Sequence, residues 1–113
     1  MVKQGDIIIV DFAPAEGREQ TGKRPALVIS NTKYNKQSNL VLACPITSSV
    51  KPMKIRVPLD DRINTQGDIL CEQVRIIDLL KREHYVVEQI PEDKLREVYN
   101  VINALISVEN PST

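Results

Sequence analysis

Arg24 and Thr47 are the two side chains whose types and settings suit chemistry on a phosphate. Arg24 stands directly before Pro25 in "EGREQTGKRPALVIS". The restricted backbone before a proline holds the arginine extended, and its guanidinium presents a planar fork of donors that fits phosphate oxygens. Thr47 closes the apolar run "LVLACPIT" and opens "TSS". Its hydroxyl can donate to the same phosphate if the two runs lie side by side, whereas a turn-forming threonine is the simpler reading of Thr47 alone. The connection from 13 to 23 that leads into Arg24 is longer than a hairpin requires, which marks it as a segment for function.

These side chains need a scaffold, and composition bounds what it can be. At 113 residues, 42% hydrophobic and 27% charged, the chain has the size and balance of one globular domain spanning 1–113. No apolar run reaches the ~18 residues of a membrane span, and the start "MVKQGDIIIV" lacks the features of a signal peptide. A soluble protein of the cytoplasm, with no membrane partner, is expected. Cys44 and Cys71 sit in apolar stretches without metal-ligand spacing or the density of a disulfide scaffold, so buried free thiols are expected. Formal net charge is zero, yet residues 13–56 carry +6 and the remainder −6. The basic segment holds Arg18, Lys23, Arg24, Lys33, Lys36, Lys51, Lys54 and Arg56. It suits a polyanion if those residues gather in space, and a solvated surface if they do not.

Runs rich in valine and isoleucine predict strands at 6–12, 24–30, 40–47, 54–59, 68–77 and 85–90. Residues 91–107 instead place Leu95, Val98, Tyr99, Ile102, Leu105 and Ile106 on one helical stripe, with Pro91 in the first turn and Glu92 and Asp93 near the positive end of the dipole. Shorter helices or turns are expected near Asn31 and Asp78. Closely spaced strands without long intervening helices predict an α+β domain with an antiparallel or barrel-like sheet.

The stretches "GDIIIVDF", "GREQTGKRPALVIS", "PITSS" and "CEQVRIID" together resemble the MazF/PemK (Kid) family of bacterial toxins, over about Gly5 to Ile106. The resemblance implies a compact antiparallel SH3-like β-barrel, shared with the CcdB toxins, with a C-terminal helix alongside. It implies a sequence-specific endoribonuclease, an mRNA interferase acting on single-stranded mRNA. It further implies a homodimer and a MazE- or PemI-like antitoxin whose acidic, disordered tail binds across the RNA groove. A basic segment suits both partners.

The implied reaction needs no cofactor or metal: a ribose 2′-hydroxyl attacks the adjacent phosphate, leaving a 2′,3′-cyclic phosphate and a 5′-hydroxyl. Arg24 and Thr47 match the family's catalytic arginine and threonine. By family position Glu19 and Glu72 are the candidate carboxylates, and pairing with Lys23 or Arg24, or a structural strand role, are their alternatives. Gln20 and Gln73 can read base edges or hold a loop, Tyr34 can stack on a base or join the core, and Lys51 and Lys54 can meet flanking phosphates or stay solvated. Arg18 and Lys23 complete the implied RNA-binding set. Two positions depart from one branch of the family: Arg18 replaces a histidine and Leu70 an arginine. His84, the only histidine, reads as a surface residue. The alternative class is a non-catalytic binding module on the same barrel, such as a CcdB-like gyrase poison. An RNA-binding domain of another kind would show more aromatics than the four present.

Overall fold

The computed structural model describes residues 1–12, 22–49 and 55–111. Its elements in chain order are β1 (Asp6–Asp11), β2 (Lys23–Val28), α1 (Thr32–Ser38), β3 (Leu40–Thr47), β4 (Arg56–Pro58), β5 (Asp68–Leu70), a 3₁₀ turn (Cys71–Gln73), β6 (Arg75–Asp78), β7 (His84–Gln89) and α2 (Glu92–Ile106). The strand pairs are antiparallel and run in the order β4-β5-β3-β2-β1-β7, with β6 also paired to β3. This is the expected α+β class.

The central strands bury both faces, which explains why their sequences are continuous apolar runs and not alternating ones. Ile7, Leu27, Cys44 and Ile46 point toward Val98 of α2 and join one core cluster. Ile8, Val10, Ala26, Val28, Val41 and Ala43 face the other way and form a second cluster with Ile77. The site residues stand at one end of this second face.

Two expectations are corrected. Among the described residues the sheet is not closed into a barrel, because β4 and β7 remain the two ends of the pairing path. The ends are tied by a side chain: the carboxylate of Glu88 on β7 accepts from the Asn64 and Thr65 amides at 3.0 and 2.7 Å and from the Thr65 hydroxyl. Burial pushes the Glu88 carboxyl up, but the hydroxyl and the two amides outweigh it and hold the group below its ordinary range. The strand expected over 68–77 is split by the 3₁₀ turn. Between the pairs Ile46↔Ile69 and Ala43↔Arg75, β3 retreats three residues while its partner advances six. The turn absorbs the surplus, and Ile69, Leu70 and Cys71 are all buried across it. Near Asp78 the expected helix or turn is a turn, with the Asp78 carboxylate accepting from the Leu80 amide.

The helices match expectation more closely. Asn31 caps α1 by accepting from the Tyr34 amide at 2.9 Å, and the helix stops at Asn39, whose φ of 61° is left-handed. In α2 the stripe is only half covered: Val98 is fully buried, whereas Tyr99, Leu105 and Ile106 are exposed. A fork from Arg62 to Asp60 and Asp93 pins the loop after β4 to the first turn of α2. Hydrogen bonds from Arg62 hold the Asp60 carboxyl down at about 2.

Both thiols are buried. Burial, with Cys71 nearby, pushes Cys44 up to about 12, and burial pushes Cys71 up to about 11. The nucleophile is the thiolate, so alkylation of the native protein by iodoacetamide near pH 7.5 should be at least ~10²-fold slower than in denaturant. Mass spectrometry of alkylated protein checks this, and rapid native labelling of either cysteine would contradict it.

Candidate active site

Strand pairing decides whether Arg24 and Thr47 meet. Strands β2 and β3 pair with Ala26 opposite Pro45, Leu27 opposite Cys44 and Val28 opposite Ala43. Continued two residues outward, that register sets Arg24 opposite Thr47. Cross-strand partners project to the same face, and here it is the face of Ala26 and Ala43. Both residues line one cavity of about 280 Å³, over a floor of Pro45, Ile46 and Leu70.

The other walls are Phe12, Gln73, Arg75 and Arg82. Phe12 follows β1, Gln73 ends the 3₁₀ turn and Arg75 opens β6. The Arg75 guanidinium lies over the Phe12 ring, 4.8 Å from its centroid. Arg82 donates to the Asp11 carbonyl at 3.2 Å, which ties the approach to β7 to the end of β1. Among the described lining residues there are three guanidiniums and no carboxylate. The cavity suits an anion with several oxygens.

The Thr47 hydroxyl oxygen accepts from the Ser49 amide at 3.1 Å. With a lone pair so engaged, the hydroxyl hydrogen is the part left to donate into the cavity. Thr47 is half-buried and Arg24 exposed, so a ligand can reach both.

Other expected residues fall elsewhere. Glu72 is exposed and borders a separate apolar groove with Ile29, Val74, Ile102, Leu105 and Ile106, so the described cavity of one chain does not include it. Gln73, its neighbour, does line the cavity. Tyr34 is partly exposed on α1 and stands outside it. Lys23 pairs with Glu83 at 3.5 Å and lies 5.9 Å from the centroid of the Tyr85 ring. It lines an adjoining cavity with Arg82 and His84. His84 is half-buried, and its Nδ1 donates to the Arg82 carbonyl at 2.8 Å. Arg18, Glu19, Gln20, Lys51 and Lys54 lie outside the described residues.

Phe12, Arg75 and Arg82 are the residues that sequence reasoning passed over. Arg75 and Arg82 belong to the part of the chain with net charge −6, and that sum conceals two cations which the fold carries to the basic segment.

Comparison with known proteins agrees with this architecture. Residues 3–106 match the model of the PemK-like, MazF-like toxins of type II toxin–antitoxin systems. The chain is 30% identical to the Endoribonuclease MazF of Staphylococcus epidermidis, with 97% of this chain and 95% of that protein covered. Among solved structures it is similar to a MazE–MazF complex from Deinococcus radiodurans, with a TM-score of 0.86, 32% identity and coverage of 96% and 97% of the two chains. MazF alone from the same organism gives 0.83, 33% and coverage of 95% and 97%. With the family model matched over residues 3–106 and a 30% identical relative covering 97% of this chain, this protein belongs to the PemK-like, MazF-like toxin family of type II toxin–antitoxin systems.

Proposed function

We propose that this chain is the toxin of a toxin–antitoxin pair and acts as a sequence-specific endoribonuclease on single-stranded mRNA. The observation that carries the reading is the convergence of Arg24 and Thr47 from adjacent strands on one cavity that also holds Gln73, Arg75 and Arg82. The name of the Staphylococcus epidermidis relative supports the same activity.

In the reaction, a ribose 2′-hydroxyl loses its proton and attacks the neighbouring phosphorus. The bond to the 5′-oxygen breaks, and that oxygen takes a proton to leave as a hydroxyl. A cyclic 2′,3′-phosphate remains. Arg24 offsets the charge that grows on the non-bridging oxygens, and Thr47 donates to one of them. Guanidiniums from the chain supply positive charge at the phosphate, so the reaction needs no metal on this reading. The 2′-proton needs a base other than Arg24, because a guanidinium stays protonated. Glu19, from the segment that precedes β2, takes that role here. Gln73 and the Arg75–Phe12 stack receive the flanking nucleotide.

The same arginine-lined cavity suits the acidic tail of an antitoxin. Exposed Tyr99, Leu105 and Ile106 and the apolar groove beside them, about 470 Å³, favour pairing of two copies as a homodimer. No described helix is long and apolar enough to cross a membrane, and the proposed substrate places the protein in the cytoplasm. A gyrase poison on a related barrel is the lesser reading, since the named relatives are MazF proteins.

The test is incubation of the purified protein with a long mixed-sequence RNA in EDTA, followed by mapping of the ends. Discrete cuts bearing 5′-hydroxyls and cyclic phosphates are expected. Intact RNA across a broad set of sequences would overturn the reading.

A further inference from the structure

Thr47 is held from below by residues that do not line the cavity. Gly67, just before β5, has φ of 120°, a backbone region that side chains disfavour. A Cβ at Gly67 would stand 2.3 Å from the Thr47 carbonyl oxygen, 2.8 Å from its carbon and 3.2 Å from the Ser48 nitrogen. These are backbone atoms, and no rotamer change clears them. On its other side Gly67 accepts from the Leu59 amide at 2.9 Å, so it is fixed between β4 and the end of β3.

Arg56 holds the residues after Thr47. Its Nη1 donates to the Ser49 carbonyl at 2.9 Å and to the Asp68 carboxylate at 3.2 Å. The Arg56 side chain is only 9% exposed, so the pair is much less screened than the surface pairs elsewhere. Ser49 in turn donates its amide to the Thr47 hydroxyl. A connected path therefore runs from Asp68 through Arg56 and Ser49 to the hydroxyl, while the ladder pair Thr47↔Asp68 closes it on the backbone.

We infer that Gly67 and the Arg56–Asp68 pair form a platform that sets the place and direction of the Thr47 hydroxyl, and so are positioning residues for phosphate chemistry at Thr47. The inference rests on the proposed function of that cavity. None of the three residues reaches the cavity, so their effect passes through Thr47. Placement matters because an error near 1 Å in a group that contacts the reacting phosphate costs on the order of 10²-fold in rate. A platform of backbone contact and a largely buried guanidinium limits such error better than a free loop end would.

Two variants test it. Gly67→Ala introduces the clash directly, and Arg56→Lys keeps the charge but loses the rigid guanidinium whose Nη1 bonds the Ser49 carbonyl and the Asp68 carboxylate together. Arg56→Lys guards against misfolding of the first variant. With a short RNA substrate, each should lower kcat by about tenfold or more with KM little changed. In a Thr47→Val background, where the hydroxyl is already absent, neither should lower kcat further. Hydrogen exchange of the Ser49 amide should be faster in Arg56→Lys than in the wild type. Equal losses in both backgrounds, or a lowered melting temperature with kcat and Ser49 exchange unchanged, would overturn the platform. A wild-type chain that cuts no RNA would remove the function reading, and Ser49 exchange on the same protein would still decide whether Arg56 holds the hydroxyl's partner.

Discussion

Arg24→Ala should lower kcat for cleavage of a short RNA by roughly 10³-fold, with the melting temperature within a few degrees of the wild type. The size follows from what the side chain faces. Charge grows on the phosphate oxygens as the 2′-oxygen attacks, and a donor already aimed there contributes more than it does to the ground state. Stability should change little, because Arg24 is exposed at the start of β2 and belongs to neither core cluster. Arg24→Lys separates charge from geometry: a lysine keeps the charge as a point and loses the fork, so an intermediate loss of about 10- to 10²-fold is expected. Single-turnover rates for the three proteins on one oligonucleotide check the order. Cleavage by Arg24→Ala within threefold of the wild type would remove Arg24 from the chemistry.

How much of this site the sequence discloses depends on what kind of link joins its parts. Arg24 and Thr47 are legible because each sits at the end of a long apolar run next to a turn signal, Pro25 in one case and "TSS" in the other. Their meeting is not legible, since it depends on β2 and β3 being neighbours in one register out of several. The C-terminal helix was readable because its periodicity is local, and it is observed at Glu92–Ile106 against an expected 91–107. The break at Cys71–Gln73 was hidden by its own composition: "DILCEQVRII" has the β-branched content of one strand, while the turn inside it is demanded by β3, a segment more than twenty residues earlier. That turn separates two adjacent residues, leaving Gln73 at the cavity and Glu72 at the apolar groove. Arg75 and Arg82 were missed for a related reason, since charge was summed along the chain and the fold gathers it across strands.

The barrel expectation has a physical lesson of the same kind. Strand count and spacing cannot say whether the last two edges close, because closure needs ladder partners on both. Here a glutamate does part of that work: Glu88 takes loop amides where another strand would have offered a ladder. Gly67 is legible only as a turn glycine, and its contact with the Thr47 peptide appears once β5 is paired to β3.

The second large effect is expected at Thr47, where two substitutions divide the hydroxyl from the methyl group. Thr47→Val keeps the shape and branch of the side chain and removes the donor, so kcat should fall by about 10²-fold. Thr47→Ser keeps the donor and should stay within several-fold of the wild type, since the Ser49 amide still has an oxygen to bond. If Val and Ser fall equally, the threonine serves as packing and the reading of its hydroxyl fails. The oxygen it contacts can be identified as well. Replacing one non-bridging oxygen of the scissile phosphate by sulfur weakens a hydrogen bond to that position alone, so the wild type should discriminate between the two phosphorothioate isomers. Thr47→Val should lose that discrimination at the pro-R or pro-S position it normally contacts, while Arg24→Lys retains it. Because both groups act on one phosphate in one transition state, the double variant should lose less than the product of the single losses. A fully multiplicative loss would mean that Arg24 and Thr47, although they share a cavity, act on different atoms or different steps.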